Sequence, residues 1–257
     1  MSLHSQNIVV FGSTGSGKSS VINMIRRSSE APVSSGASGC TFQSTAYSTK
    51  LQDKEYRLWD TAGLDEGKQG KVFDKKAFEN LCSLVGQLSH NNNGVSLLMF
   101  VMRGPRITDA ATKNYRMFYE GFCRKQVPIV IVVTGLENED DMDQWWITNE
   151  GVFAERNMFF HGAACVTAIT GKFSTRLGRG IHADVYAESI PKIEKLIQNH
   201  VLTEGWKKSP KNWALDIWKW VLIAFGALVP IVLQVLEQDA VKAAIGEIFD
   251  SLDIAQS

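Results

Sequence analysis

Short apolar runs alternate with amphipathic stretches along most of this chain. The runs have the length of strands, and the stretches after them carry apolar residues at helical spacing. The predicted strands lie near residues 8–11, 44–51, 56–59, 95–102, 129–133 and 163–167. The predicted helices lie near residues 18–27, 74–88, 109–123, 141–153 and 185–200. Such alternation indicates an α/β fold, a doubly wound and mostly parallel sheet with helices on both faces.

The pattern changes after residue 202. A polar stretch, residues 203–212, precedes residues 213–257, in which residues 220–236 contain no charged side chain. As a helix this uncharged run is about 25 Å long, near the lower limit for crossing a bilayer. We therefore predict a globular domain at residues 1–202, a linker at 203–212 and a hydrophobic, helical extension at 213–257.

Two interpretations of the extension stay open. Trp213, Trp218 and Trp220 gather at one end of the apolar run, with lysines before the run and acids after it, as in a membrane helix whose preceding domain is cytosolic. Residues 240–252 carry a second apolar stripe, so a helical hairpin with 213–236 would bury both apolar faces without lipid. We expect a membrane tether through residues 213–236 and a cytoplasmic globular domain.

Composition narrows the compartment and the partners. Lys+Arg and Asp+Glu both number 27, so no net field attracts nucleic acid, and we expect no nucleic-acid partner. Residues 1–7 lack the apolar core of a secretion signal. The 4 cysteines are widely spaced, which indicates reduced thiols rather than a disulfide or zinc framework.

The strongest chemical signal follows the first predicted strand. Residues 12–19 fit the phosphate-loop pattern G-x-x-x-x-G-K-[S/T]. Its glycines let successive backbone N–H groups surround a polyphosphate, and the helix that begins near Gly17 adds the positive end of its dipole. Lys18 is expected to reach the β and γ phosphates, and Ser19 to ligate Mg²⁺. The predicted nucleotide-binding residues here are Gly12, Ser13, Thr14, Gly15, Ser16, Gly17, Lys18, Ser19 and Ser20.

A second motif ends the third predicted strand, at residues 60–63. Asp60 is placed to hold Mg²⁺ through water, and the Gly63 N–H to meet a γ-phosphate, so both are predicted nucleotide-binding residues. Thr41, at the end of a long polar loop, is expected to complete the Mg²⁺ shell, with Ser44 and Thr45 as rivals. The predicted metal ligands are therefore Ser19, Thr41 and Asp60, and the predicted catalytic residues are Lys18, Thr41 and Gly63.

These motifs resemble the first three motifs of the translation-factor-class GTPases. Within that class the chain is most similar to the septin-like branch, which holds the immunity-associated (GIMAP, or avirulence-induced) GTPases and the chloroplast-import Toc receptors. Residues 102–108, Met-Arg-Gly-Pro-Arg-Ile-Thr, resemble a box between the third and fourth motifs of the immunity-associated proteins. The resemblance covers residues 7–200 and implies a P-loop GTPase (G) domain that binds GTP or GDP with Mg²⁺.

The base-reading motif departs from the Asn-Lys-x-Asp of ordinary GTPases. Its place holds Thr134, Gly135, Leu136 and Glu137. Glu137 can accept two hydrogen bonds from the N1–H and N2–H₂ groups of guanine, which adenine does not offer. The alternative is that Glu137 merely opens an acidic loop. Without the lysine, the apolar cover over the base must come from Leu136 or elsewhere, and Thr134 is itself a predicted nucleotide-binding residue.

Two further features come from the resemblance. Thr167 and Ala168 resemble the fifth motif, whose backbone N–H meets the guanine O6, so both are predicted to bind nucleotide. Leu64 stands where Ras-like proteins carry a glutamine that orients the attacking water.

Because Leu64 has no polar atom, we expect slow GTP hydrolysis that a homodimer across the nucleotide face, or another partner, accelerates. Arg103, Arg106 and Arg176 are candidates for a finger in such a complex, although surface ion pairs are the commoner fate of such residues. Two alternatives stay open. One is a nucleotide-stabilised scaffold with negligible hydrolysis, and the other is an ATP-dependent phosphotransferase.

Overall fold

The computed structural model describes residues 5–28, 44–61, 84, 88 and 93–207. Residues Met1–Lys207 form one compact unit. The predicted extension, residues 213–257, lies outside the described residues, as do Thr41, Gly63 and Leu64. The boundaries of the globular domain and the linker therefore stay a prediction. Within the described ranges, no helix is both long and apolar enough to cross a bilayer.

Six strands form one sheet in the order β2-β3-β1-β4-β5-β6. They are β1 (Gln6–Phe11), β2 (Ser44–Leu51), β3 (Lys54–Thr61), β4 (Leu97–Arg103), β5 (Ile129–Thr134) and β6 (Gly162–Cys165). The ladders between β3, β1, β4, β5 and β6 are parallel, and β2 pairs antiparallel with β3. This arrangement confirms the predicted α/β, mostly parallel sheet. In the sheet β1 lies between β3 and β4, so the strand order reverses at β1, and the carboxyl ends of β1 and β4 flank a topological switch point.

The described helices follow the predicted positions, with two differences. They are α1 (Lys18–Arg26), α2 (Asp109–Tyr115), α3 (Met142–Glu155) and α4 (Ala183–His200). The helix predicted at residues 109–123 is α-helical only in its first half and continues as a π-helix, Arg116–Phe122. A small hairpin of β7 (Phe173–Ser174) and β8 (Arg179–Gly180) lies between β6 and α4, where the sequence predicts neither a strand nor a helix.

The sheet buries a core on each face. On one face, Ile8 and Val10 of β1 belong to the same buried cluster as Ile193 of α4. On the other face, Phe11 stacks on Phe118 of the π-helix with the ring centroids 4.3 Å apart. Because neighbouring residues of a strand point to opposite faces, burial of both faces explains why β1 is a continuous apolar run.

A buried polar network fixes the start of β1. The Asn7 side chain is 1% exposed; its Nδ2 donates to the Gly94 carbonyl oxygen at 2.7 Å, and its Oδ1 accepts from Trp59 Nε1 at 2.9 Å. Trp59 lies on β3, and Gly94 precedes β4. A buried amide is stable only where its donor and acceptor are both satisfied, so Asn7 holds β1 in register between its two neighbours. The same register sets where the chain leaves β1.

The two described cysteines, Cys123 and Cys165, are buried and form no disulfide. Burial raises the pKa of the Cys165 thiol to about 12 and that of Cys123 well above its ordinary value. Neither thiol is therefore a reactive nucleophile near neutral pH. Cys40 and Cys82 lie outside the described residues.

Candidate nucleotide site

The loop between β1 and α1 has the backbone that its glycines predict. Gly15 and Gly17 have φ angles of 74° and 94°, in the left-handed region that favours glycine. A Cβ on Gly12 would collide with the carbonyl oxygen of Val101 on β4, whereas a Cβ on Gly15 would meet nothing within 4 Å. The loop is therefore pressed against β4 at Gly12 and open at Gly15, as a cradle for a polyphosphate must be.

Lys18, the first residue of α1, lies folded over this loop. Its side chain is largely buried, and its Nζ donates to the carbonyl oxygens of Gly12 at 3.0 Å and Ser13 at 3.2 Å. The ammonium group is thus held at the loop itself. Its predicted contact with the β and γ phosphates stays a prediction.

The structure brings two of the predicted metal ligands together. Ser19 Oγ donates to Asp60 Oδ2 at 3.1 Å. Burial raises the pKa of the Asp60 carboxyl, while the Lys18 charge and the Ser19 hydrogen bond act in the opposite direction. A hydroxyl and a carboxylate are oxygen donors of the kind that Mg²⁺ prefers, so the pair fits this ion.

The remaining predicted ligands lie outside the described residues, since neither Thr41 nor Gly63 is described. Of the rivals to Thr41, Thr45 lies opposite Asp60 in the antiparallel β2–β3 ladder, and Ser44 lies opposite Thr61. The choice among the three hydroxyls therefore stays open.

Thr134 links the end of β5 to the phosphate loop. Its side chain is buried, and its Oγ1 donates to the Ser16 carbonyl oxygen at 2.7 Å. A Cβ on Gly17 would lie 3.2 Å from Thr134 Oγ1. The hydroxyl therefore positions the loop, and a direct contact of Thr134 with nucleotide stays a prediction.

The sequence makes Leu136 a candidate for the apolar cover over the base, but its side chain is buried in the fold. It is 2% exposed, and a Cβ on Gly104 would come within 2.8 Å of its Cδ2. Leu136 therefore packs on the backbone at the end of β4, beneath the surface. Glu137, the next residue, lies at the rim, with its Oε1 4.0 Å from Arg103 Nη2.

The loop after β6 is the fourth part of the site. The Thr167 N–H donates to Ser189 Oγ at 3.0 Å, and Thr167 Oγ1 lies 3.4 Å from Met142 Sδ. The backbone donor of Thr167 is thus satisfied by α4. Within the described part of the chain, the Ala168 N–H has no acceptor, and contact of either residue with a guanine O6 stays a prediction.

Several residues of this site have no sequence signal. Asn114 of α2 is 2% exposed, with its Nδ2 3.5 Å from Ser13 Oγ, and Ser189 supports Thr167 from α4. Both lie on helices whose contact with the site depends on tertiary packing, so no local motif indicates them. Arg103 has a signal, the box at residues 102–108, but that pattern does not indicate its place beside Glu137.

Comparison with known proteins gives one family match. The family model described as "50S ribosome-binding GTPase" matches residues 7–135. The matched segment contains the phosphate loop, Asp60 and Thr134. No curated protein matches this chain in sequence.

Solved structures resemble the fold. Toc33 from Arabidopsis thaliana in complex with Mg²⁺ and GMPPNP is 18% identical, covers 77% of this chain and 84% of its own, and has a TM-score of 0.52. Era in complex with MgGDPNP and a segment of 16S ribosomal RNA is 14% identical, covers 81% of this chain and 60% of its own, and has a TM-score of 0.54. A structure of the chloroplast translocon components atToc33 and psToc159, in which dimerization is important for the GTPase activity, is 18% identical, with coverages of 77% and 83% and a TM-score of 0.50. At these identities the likeness concerns the fold.

Removing the Thr134 hydroxyl tests the role of β5 in holding the loop. Thr134→Val leaves the Ser16 carbonyl oxygen without its donor. We therefore expect the affinities for GDP and for ADP to fall by the same factor, about tenfold, because both nucleotides carry the same phosphates. Thr148→Val is the matched control, since the Thr148 hydroxyl donates to its own helix, at the Gln144 oxygen. Calorimetric titration with Mg²⁺ measures the affinities, and wild-type affinities in Thr134→Val would contradict the positioning role.

Proposed function

Because the chain belongs to the 50S ribosome-binding GTPase family, we propose that it is a guanine-nucleotide-binding switch that binds GTP and GDP with Mg²⁺. One observation carries the proposal. The phosphate loop follows β1, Asp60 lies at the end of β3 beside Ser19, and Glu137 follows β5, so all of them lie at the carboxyl edge of the sheet, beside the switch point. The Mg²⁺–GMPPNP complex of Toc33 and the MgGDPNP complex of Era support the proposal through their common fold.

Each part has a role in holding a triphosphate. Lys18, the loop amides and the start of α1 neutralise the phosphate charge. Ser19 and Asp60, with Thr41, would hold Mg²⁺, which when bound draws charge from the β and γ phosphates. Gly63 and Thr41 would report whether the γ-phosphate is present, which is what makes such a protein a switch.

Glu137 gives the preference for guanine. Its carboxylate accepts from two neighbouring N–H donors on the Watson–Crick edge, and adenine has no such pair. The side chain of Glu137 is 14% exposed, so it is sheltered yet lies at the rim. A partly desolvated carboxylate discriminates strongly, because the wrong base leaves it without partners.

Exchange of this carboxylate for an amide tests the base. Glu137→Gln turns one acceptor into a donor that opposes the guanine N2–H₂, so we expect GDP to bind about a hundredfold more weakly. Xanthosine diphosphate, which carries an oxygen at that position, should bind more tightly than it does to the wild type. Glu139→Gln, two residues on and exposed, is the matched control. An unaltered preference between the two nucleotides in Glu137→Gln would assign Glu137 to the acidic loop instead.

We further propose slow hydrolysis and a homodimer across the nucleotide face. Leu64 supports the slow rate, because an apolar side chain cannot orient water. The importance of dimerization for the GTPase activity of atToc33 and psToc159 supports the dimer. A scaffold with negligible hydrolysis remains the second candidate, which the same feature, Leu64, favours.

Turnover as a function of protein concentration separates the two candidates. We expect about 10⁻³ to 10⁻² turnovers per second at nanomolar protein, rising to a plateau as dimers form. The measurement is phosphate release from GTP with excess Mg²⁺. Several turnovers per second at nanomolar protein would contradict slow intrinsic hydrolysis, and no turnover at any concentration would establish the scaffold.

The finer assignments rest on the sequence. We propose that the chain belongs to the septin-like branch, because of residues 102–108 and Leu64. We also propose a G domain at residues 1–202, a linker at 203–212, and a membrane tether through 213–236 that leaves the G domain cytoplasmic. The equal numbers of basic and acidic residues support the absence of a nucleic-acid partner.

A further inference from the structure

The motif at residues 134–137 has no side chain at its second position, Gly135, and a side chain from the end of β4 occupies that space. Gly135 stands where ordinary GTPases have a lysine, and its φ is 78°. A Cβ on Gly135 would lie 2.9 Å from Arg103 Cγ, 3.1 Å from its Nε and 3.5 Å from its Cζ. The stem and guanidinium of Arg103 therefore run through the space in which a side chain at residue 135 would begin.

The strand register brings Arg103 to this position. Arg103 pairs with Thr134 in the parallel β4–β5 ladder, and the Gly104 N–H donates to the Thr134 carbonyl oxygen at 2.8 Å. A glycine follows each of the two strands, and each glycine leaves room for a side chain from the neighbouring segment. Gly104 lets Leu136 pack inward, and Gly135 lets Arg103 lie across the rim.

The guanidinium lies beside the carboxylate that is proposed to read the base. Arg103 Nη2 is 4.0 Å from Glu137 Oε1, and the Arg103 side chain is 61% exposed. An ion pair at this distance with one partner so exposed contributes little to stability. The contact with Glu137 is therefore not needed for folding, and it leaves a planar cation accessible at the rim.

We propose that Arg103 is a specificity-determining residue for the base, an inference that rests on the proposed guanine-nucleotide function. Its stem and guanidinium cover one face of the purine, and its charge keeps Glu137 turned toward the N1–H and N2–H₂ edge. A planar guanidinium stacks on an aromatic ring, which an ammonium group does less well. Arg103 thus supplies from β4 what the motif after β5 lacks. It acts within its own chain, unlike a finger reaching into a second copy.

The test compares Arg103→Ala and Arg103→Lys with Arg116→Ala in the full chain. The control removes an exposed arginine of the π-helix. GDP, GMPPNP and ADP are titrated calorimetrically with Mg²⁺ at two protein concentrations, and thermal melting verifies folding. We expect the affinities of Arg103→Ala for GDP and for GMPPNP to fall by the same factor, about tenfold, because both nucleotides carry the same base. Arg103→Lys should lose less, and Arg116→Ala should match the wild type.

Three results would overturn the inference. The first is an affinity of Arg103→Ala for GDP that equals that of Arg116→Ala. The second is a loss confined to GMPPNP, or one that vanishes on dilution, because either would assign Arg103 to the phosphates of a second copy. The third is a wild type that binds GDP no better than ADP, which would also end the proposed function. If the wild type prefers GDP to ADP but Arg103→Ala binds GDP as tightly as the wild type does, only this inference fails and the proposed function stands.

Discussion

The site depends on the close packing of the phosphate loop against the two strands on one side of β1. At Gly12 the loop backbone meets the carbonyl oxygen of Val101 on β4 so closely that no Cβ fits between them. At Ser16 the Thr134 hydroxyl of β5 holds the loop with a hydrogen bond of 2.7 Å. Because a loop that binds phosphate through its amides must keep them aligned, these contacts decide whether the cradle exists at all. Asn7 extends the same constraint to the other end of β1, where it bonds Gly94 and Trp59.

The functions of the site separate along the sheet. The end of β3 brings Asp60 to Ser19, where a cation fits. The ends of β4 and β5 bring Arg103 to Glu137, where we propose that the base binds. Under the proposed function, phosphate charge, metal and base would be read at the ends of different strands that share one edge of the sheet, where ligands bind in sheets of this kind. The proposed slow hydrolysis agrees with Leu64, because hydrolysis needs a polar group that orients water.

The sequence predicts the strands and the phosphate loop well, because both depend on local pattern. Strands buried on both faces are continuous apolar runs, and the loop needs glycine where φ is positive. Contacts between distant segments were beyond prediction. Leu136 is buried because Gly104, from another strand, leaves room for it, and Arg103 reaches Gly135 only through the β4–β5 register. Asn114 and Ser189 reach the site through the packing of their helices, and the antiparallel pairing of β2 follows from the short turn between β2 and β3.

The proposed function requires that this edge of the sheet binds a guanine nucleotide. The most direct measurement is a calorimetric titration of the wild-type chain with GDP and with ADP in the presence of Mg²⁺. Any nucleotide that co-purifies is removed first. We predict that GDP binds at least about a hundredfold more tightly than ADP, because only guanine satisfies Glu137. Equal affinities, or a preference for ADP, would contradict it and favour an ATP-dependent phosphotransferase.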